Sequence, residues 1–366
     1  MKVGLFGGSF DPIHIGHIEL AKEAIEQLDL DEFYFIPTKH NPWKNNSIAS
    51  DEDRVKMIEI AIRDEEKLHI ERVELDWPDE EKNYTIKTIK VLKNAHPDVD
   101  YYYFMGMDQV CHYHEWKKAK KLSKKVQLVA FNRGGYPDKH ENLKKFNFIK
   151  IDNSSVLASS TEIREGNIAM LDGDVLRYIS SHGLYLDTMI KNRMCEKRYL
   201  HSLSVANLCV EFAKGNGVDP LDAYIAGVMH DVAKEMDMKV ANRLMSRYFP
   251  DYLKTAKPIW HQWLSRYVCE HDFLIENQDI LKAIEDHTTG STTMTQLGKC
   301  LYCADKLDPL RGYDSSKQIE ICKQDIDEGF RNELTNFYEF SKQKGRSIDP
   351  LFYDIYKTYV KGTLDD

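Results

Sequence analysis

Residues 4–17 read Gly-Leu-Phe-Gly-Gly-Ser-Phe-Asp-Pro-Ile-His-Ile-Gly-His. A short apolar run through Val3, Leu5 and Phe6 meets the pair Gly7-Gly8, and a turn carrying Asp11-Pro12 follows. His14 and His17 come next, and a helical pattern begins at Ile18. Strand, glycine turn and helix start in succession form a layout that receives phosphate. Glycine lets the backbone approach an anion closely, and the first turn of a helix offers unpaired N–H groups at the positive end of its dipole. An ordinary βα turn has no use for two histidines around a glycine, so the segment reads as a phosphate site rather than a plain connection.

The rest of the first half fits that start. Segments 33–36, 101–104 and 126–131 are apolar and aromatic runs of strand length, and helical stretches at 53–63 and 85–93 lie between them. This alternation predicts an α/β fold, a parallel sheet with helices on both faces. Ligands of such sheets bind at the carboxyl ends of the strands, where the glycine turn falls. Strand signals stop after about Ile151, and 175–185 reads as a last helix and turn stopped by Gly183. From Met189 the pattern is helical almost to the end, with loops such as Gly215-Asn216-Gly217. A length of 366 residues favours two domains, and the pattern predicts an α/β domain over 1–188 and an all-α domain over 189–366.

Composition excludes some classes. A net charge of −9 argues against a general nucleic-acid binder, and the basic run 117–125 reads as a solvated helix face. No stretch approaches 18 apolar residues, so no membrane span is expected, and the N-terminus reads as a strand rather than a signal peptide. Seven cysteines without framework spacing suit a reducing cytoplasm. Cys300 and Cys303 read as helix packing residues, and His112 and His114 have no obvious third ligand nearby. A homo-oligomer is compatible with these features.

A second piece stands far from the first, at Ser159-Ser160-Thr161-Glu162-Ile163-Arg164. Hydroxyls at a helix N-cap and an arginine one turn in both suit phosphate oxygens. Together the two segments resemble the nucleotidyltransferase family that moves an adenylyl or cytidylyl group to a phosphate-bearing acceptor. Within it, further residues resemble bacterial nicotinate mononucleotide adenylyltransferases. Asn41-Pro42-Trp43-Lys44 resembles their phosphate loop, with Trp43 in place of the usual His; Asp53-Arg54 and Met57 match the next helix. Tyr84-Thr85 and Trp116 match residues that contact the pyridine ring, and Gly106-x-Asp108 and Arg133 match strand ends near ATP. The resemblance spans roughly 1–187. It implies a Rossmann-like domain in which His14, His17, Lys44 and Arg164 are catalytic. Gly7, Gly8, Ser9, Phe10, Thr85, Gly106, Asp108, Trp116, Arg133, Ser159, Ser160 and Thr161 would bind ATP and nicotinate mononucleotide, with Mg2+ arriving on the ATP.

The second half carries His201, the doublet His230-Asp231, Lys234, His261, His287 and Asp305. Four histidines and two aspartates over several helices suit one or two transition metals in a bundle. If the doublet continues a helix, its side chains diverge by about 100°, and Lys234 falls one turn on. Asp231 is then placed to bridge two ions. The ordered set resembles the HD-domain phosphohydrolases. His287-Thr288-Thr289-Gly290, Met294 and the run from Tyr302 through Asp305 to Arg311 resemble the branch that splits diadenosine tetraphosphate symmetrically. That resemblance covers roughly 190–350. It implies His201, His230, Asp231, His261, His287 and Asp305 as metal ligands, Asp231 and Lys234 as catalytic, and Thr288, Thr289, Gly290 and Arg311 on nucleotide phosphates. Iron is the favoured metal, with manganese, cobalt or zinc as alternatives.

The expectation is a bifunctional enzyme whose partners are ATP, nicotinate mononucleotide and dinucleoside polyphosphates, without nucleic acid or membrane. Pantetheine-phosphate adenylyltransferase shares the opening motif and is the rival for the first half, although a pyridine ring better explains Tyr84-Thr85 and Trp116. For the second half the rivals are another HD nucleotide phosphohydrolase and a non-catalytic nucleotide-binding regulator. All six candidate ligands are present, which speaks against a degenerate sensor.

Overall fold

Apolar runs become the sheet. The computed structural model describes residues 1–39, 49–78, 84–153, 159–345, 348 and 350–361. The chain divides into two compact units, Met1–Val175 and Leu176–Asp366.

The first unit holds strands β1 (Lys2–Gly8), β2 (Glu32–Pro37), β3 (Leu68–Ile70), β4 (Asp100–Gly106), β5 (Gln127–Phe131) and β6 (Ile149–Lys150). They form one parallel sheet in the order β3-β2-β1-β4-β5-β6. The helices are α1 (Ile15–Leu28), α2 (Asp51–Ile62), α3 (Thr85–Ala95), α4 (Met107–His112), α5 (Ala119–Leu122), α6 (Glu141–Lys145) and α7 (Ser160–Arg164). The chain leaves β1 in one direction through β2 and β3, then returns to its other side at β4. Right-handed crossovers therefore place the two sets of helices on opposite faces, and the reversal opens a crevice at the carboxyl ends of β1 and β4. This is the Rossmann-like arrangement, and Phe6 pairs with Phe104 just below its rim. Helix α1 begins at Ile15, earlier than the expected Ile18, because His14 already stands at the N-cap in extended backbone. The basic run forms only the four-residue α5, with Lys117, Lys118, Lys120, Lys121 and Lys124 exposed.

The second unit is all helical: α8 (Gly173–Ser181, which begins in the first unit), α9 (Leu186–Lys191), α10 (Glu196–Gly215), α11 (Pro220–Met229), α12 (Met238–Tyr248), α13 (His261–His271), α14 (Gln278–Asp286), α15 (Gln296–Leu307), α16 (Ser316–Gln324), α17 (Ile326–Gln343) and α18 (Pro350–Tyr356). The division falls before residue 188 because most of α8 packs with this unit. Ser180 donates its hydroxyl to the Phe273 carbonyl at 2.5 Å, and Gly183, at φ +63°, lies against Leu221 and Ile225. Helices α10 and α11 approach closely at Gly227, where a Cβ would stand 2.4 Å from Ala206 Cα. Cys300 and Cys303 are buried on α15. Among the described residues, no helix is long and apolar enough to cross a membrane.

Candidate active sites

At the first site, β1 delivers the glycine turn and α1 starts beside it. The rings of His14 and His17 stack with centroids 3.6 Å apart, and the His14 amide donates to His17 Nδ1 at 3.3 Å. Phe6 and Phe10 press edge-on to His17 at 5.9 and 5.2 Å. Burial, aided by the charge of Arg133, lowers the His14 pKa to about 4. Burial, then His14 and Arg133, hold His17 well below the ordinary histidine range. Both rings are therefore neutral near pH 7, and positive charge at this site must come from elsewhere.

The second motif joins the first. Arg164 Nη1 donates to the Asp11 carbonyl and lies 3.7 Å from the Asp11 carboxylate; its Nη2 lies 3.4 Å from Thr161 Oγ1. Ser160 donates to the Pro12 carbonyl at 2.9 Å, and Ser159 caps α7 by accepting from the Glu162 amide at 3.1 Å. Thus Ser159 and Ser160 fix the helix and tether it to the turn, leaving Thr161 and Arg164 nearest to each other. The Phe10 side chain is buried at φ 47°, so that residue offers a ligand only its backbone.

Two more clusters rim the crevice. Asp108, at the start of α4, accepts from Arg133 at 3.0 Å, and a Cβ on Gly106 would stand 2.4 Å from Asp108 Oδ1. Tyr103 on β4 links the others: its hydroxyl lies 3.5 Å from Thr85 Oγ1, a Cβ on Gly7 would approach it to 2.7 Å, and its ring meets Trp116 at 6.4 Å. Trp116 is half-buried and packs on Tyr113. Lys44 and the Asn41-Pro42-Trp43 segment lie outside the described residues.

The second site gathers all six expected ligands. Three histidines repeat one device. His230 Nδ1 lies 2.7 Å from the Gly227 carbonyl, His261 Nδ1 2.8 Å from Pro258, and His287 Nδ1 2.6 Å from Ile284. A carbonyl only accepts, so each Nδ1 carries the proton and each Nε2 presents a lone pair. His201 differs: its Nδ1 meets the Asp308 carboxylate at 2.6 Å and its Nε2 meets Asp305 Oδ1 at 3.1 Å. Ligand atoms of His201, His230 and Asp231 lie within 4.8 Å of one another, as do those of Asp231, His261 and His287.

The expected helical doublet is corrected. Helix α11 ends at Met229, and Asp231 and Lys234 lie in the tight turns that follow, with the Lys234 amide donating to the Asp231 carbonyl at 2.9 Å. The turn brings Lys234 Nζ to 3.1 and 3.0 Å from the two ring nitrogens of His261. Burial lowers the Lys234 pKa. Burial also lowers His230 to about 4 and His261 to about 2. It would raise the Asp231 carboxyl, but His230 and His287 outweigh it and hold that group well below the usual range. Burial would likewise raise Asp305, and Lys306, His201 and Arg311 win. For His201, burial opposes protonation, yet Asp305 and Asp308 raise its pKa.

Arg311 is engaged by Asp305: Nη2 donates to Asp305 Oδ1 at 2.6 Å and Nε to the Asp305 carbonyl at 2.7 Å. Thr288 Oγ1 lies 3.0 Å from Nε2 of both His261 and His287. Thr289 binds Gln262, and Gly290, at φ +78°, ends the turn after α14 by donating to the Asp286 carbonyl at 2.8 Å.

Comparison with known proteins matches a family to each half of the chain. Residues 5–166 match the Cytidylyltransferase-like family and 198–310 match the HD domain. A protein of Mycoplasma pneumoniae, named a probable nicotinate-nucleotide adenylyltransferase/Ap4A hydrolase, is 28% identical over 93% of this chain and 99% of its own. A protein of Halalkalibacterium halodurans, named a probable nicotinate-nucleotide adenylyltransferase, is 39% identical over 50% of this chain and 91% of its own. The chain belongs to the nicotinate-nucleotide adenylyltransferase family. Unlike that relative from H. halodurans, this family member continues into an HD domain, which implies dependence on a divalent metal.

The residues present fit such an ion. His230 Nε2 is fully buried and finds no hydrogen-bond partner among the described residues. Imidazole nitrogens and carboxylates form a donor set for a transition metal, and every histidine of it is oriented from behind.

Several residues of this family member carry geometry that motif reading passed over. Arg54 is 1% exposed and donates to the carbonyls of Ser9 at 2.6 Å and Thr38 at 2.7 Å. Asp11 is buried and accepts from the Ala49 amide at 3.0 Å. In the second unit, Arg198 lies 2.7 Å from Asp231 Oδ2, Lys306 3.1 Å from Asp305 Oδ2, and Asp308 behind His201. Asp11, Arg54, Lys306 and Asp308 all lie inside segments that the sequence had already singled out, although none of them was given a role there.

Proposed function

We propose that the chain is a bifunctional enzyme. Its first half transfers AMP from ATP to nicotinate mononucleotide, giving deamido-NAD and pyrophosphate. Its second half hydrolyses diadenosine tetraphosphate symmetrically to two ADP. The observation that carries the first reading is the joining of the two phosphate motifs, Arg164 on Asp11 and Ser160 on Pro12, at the carboxyl end of β1. The second rests on the six ligands gathered around Asp231. The Mycoplasma pneumoniae protein, similar over nearly the whole length, supports joining both activities in one chain.

In the first reaction a phosphate oxygen of nicotinate mononucleotide attacks the α-phosphorus of ATP. The bond from that phosphorus to the bridging oxygen breaks, and pyrophosphate leaves. The attacking oxygen is already anionic, so no general base is required, which agrees with the neutral state of His14 and His17. The cost lies in pressing one anion against another. Neutral imidazoles donate hydrogen bonds to the α-phosphate, while Arg164 supplies charge, as would Lys44 and the Mg2+ carried by ATP. Gly7 and Gly8 let the backbone approach, and Asp108 with Arg133 bounds the ATP side. Thr85, Tyr103 and Trp116 form the aromatic end that receives the pyridine ring.

In the second reaction His201, His230, Asp231, His261, His287 and Asp305 would hold one or two ions, with iron favoured over manganese, cobalt or zinc. When bound, such an ion polarises the phosphoanhydride and makes water a competent nucleophile at neutral pH. Asp231 is shared by both ligand groups. Arg198, Lys234, Lys306 and Arg311 surround the carboxylates and His261, placed to take up phosphate oxygens as substrate arrives.

The test is product analysis of the full chain. Incubation with diadenosine tetraphosphate and manganese or iron should yield ADP alone; AMP plus ATP would mean asymmetric cleavage, and no turnover would leave the second unit a regulator or a hydrolase of another nucleotide. Nicotinate mononucleotide with ATP should yield deamido-NAD, whereas turnover of phosphopantetheine instead would replace the first assignment.

A further inference from the structure

Beside the second site lies a cavity of about 230 Å3 with a different chemistry. Part of its wall is aromatic. Tyr252 is half-buried and stacks on the buried Trp263, with ring centroids 4.2 Å apart and planes 20° apart. Both rings line the cavity, so the tyrosine that packs on Trp263 still offers surface to a further flat group.

The rest of the wall is acidic. Glu285, Asp286 and Asp354 line it with a single cation, Lys282. That ammonium lies 2.9 Å from Asp286 and 3.8 Å from Glu285, and Glu285 also pairs with Arg266 at 2.6 Å. Asp286 is 4% exposed. Among the described residues it accepts from Lys282 and from Ser291 Oγ at 2.7 Å, two of the roughly four sites that its oxygens offer. Carboxylates around one engaged ammonium repel phosphate and accept hydrogen bonds from neutral N–H and O–H groups. A flat, uncharged ligand rich in donors fits such a wall.

The position fits as well. Gln262 follows His261 in the chain and Thr289 is two residues beyond His287, and both line the cavity. Gln262 Oε1 accepts from the amides of Thr288 and Thr289 at 3.3 and 3.2 Å, while Thr288 Oγ1 lies 3.0 Å from Nε2 of His261 and of His287. The cavity therefore begins one or two residues from two candidate ligands, each step about 3.8 Å between Cα atoms.

We propose that this cavity receives one nucleoside of the dinucleoside polyphosphate, with the base against Tyr252 and its N–H or the sugar O–H groups turned to Asp286 and Asp354. This rests on the hydrolase reading of the second unit. Symmetric cleavage leaves each nucleoside two phosphates from the broken bond, and the two ends of the substrate are alike, so either nucleoside fits. The acidic wall keeps the phosphates outside, on the side of the candidate ligands.

The test uses the full-length chain loaded with Mn2+. Hydrolysis of diadenosine tetraphosphate is followed as ADP, with ADP and pyrophosphate as competing ligands, one carrying a nucleoside and one not. Tyr252→Ala should raise KM for diadenosine tetraphosphate and the inhibition constant of ADP by roughly tenfold, with kcat and the inhibition constant of pyrophosphate unchanged. Tyr252→Phe keeps the ring and should behave as the unaltered chain. Asp354→Ala, at an exposed position on α18, should raise the same two constants by about fivefold. An unchanged KM in Tyr252→Ala, or a rise shared by pyrophosphate, overturns the nucleoside cavity and leaves the hydrolase reading standing. Failure of the unaltered chain to hydrolyse diadenosine tetraphosphate overturns both. If circular dichroism shows Tyr252→Ala unfolded, Asp354→Ala decides: constants that stay unchanged, or that rise for pyrophosphate too, overturn the proposal.

Discussion

The Nδ1 atom of His230 lies 2.7 Å from the carbonyl oxygen of Gly227, and the opposite nitrogen is buried with no hydrogen-bond partner among the described residues. A buried, unpaired acceptor costs about 1–3 kcal/mol unless something binds it. The fold accepts that cost at the end of α11, beside Asp231. We therefore expect His230→Gln to lose metal, measured by elemental analysis after dialysis, and to lose phosphoanhydride hydrolysis with it. Adenylyl transfer, assayed on the same preparation, should persist. Full metal content in the variant would remove His230 from the ligand set.

Gly227 acts twice, as the carbonyl that orients His230 and as the point where α11 meets α10. A Cβ there would stand 2.4 Å from Ala206 Cα and 2.9 Å from its nitrogen, backbone atoms that cannot rotate aside. Gly227→Ala should therefore destabilise the second unit by about 1–3 kcal/mol, as overpacking does. The shift of α11 should also weaken metal retention. Thermal denaturation with metal analysis reads both, and an unchanged melting temperature would mean the helices separate more easily than this contact implies.

His14 should titrate far from an ordinary histidine. Burial lowers its pKa from 6.5 to about 4. In the unfolded chain the ring binds its proton first, so the stability that comes from keeping it neutral is complete above pH 6.5 and is lost as pH falls toward 4. The difference is worth roughly 3 kcal/mol. A nuclear magnetic resonance titration of the full chain should place the His14 midpoint near 4, while a midpoint near 6.5 would mean that the ring is solvated. His17→Ala should lower turnover of adenylyl transfer by orders of magnitude, since the ring lies at the proposed α-phosphate position, and near wild-type turnover would remove that role.

Some of this was legible in the sequence and some was not, for physical reasons. Strand runs such as 101–104 fell inside β4 because buried parallel strands are continuously apolar. The turn at His14 and the turn after α11 were harder. Whether His14 is the last residue before a helix or the first within it depends on one backbone angle, and Asp231 left the helix because α11 ends in consecutive three-residue turns. Candidate ligands were visible as a set, since histidine and aspartate are costly to bury without a task. Their supports were not. The carbonyls of Gly227, Pro258 and Ile284 have no residue identity to read, and Arg198 or Lys306 looks like any solvated cation until the fold turns it inward.

Arg54 shows the same limit and carries the last prediction. It sits on α2, is 1% exposed, and reaches across to the carbonyls of Ser9 and Thr38, the residues that directly follow β1 and β2. Asp51 supplies its counter-charge at 2.5 Å from one Nη atom. These carbonyls belong to the rim proposed to receive phosphate, and the buried guanidinium beneath them adds positive charge where water cannot screen it. Replacing it with methionine fills similar space but leaves two carbonyls and one carboxylate without this donor. Thr38 and Asp51 are partly buried and Ser9 is exposed, so water replaces part of what is lost, and Arg54→Met should destabilise the first unit by about 1–3 kcal/mol and raise KM for ATP. Lysine keeps the charge but lacks the planar fork that reaches both carbonyls, so Arg54→Lys should recover part of the stability and little of the ATP affinity. Chemical denaturation paired with steady-state kinetics separates the two effects. If Arg54→Lys restores KM as fully as it restores stability, the arginine serves only the fold; if KM stays high in a stable protein, the position of the Ser9 turn is what ATP binding depends on.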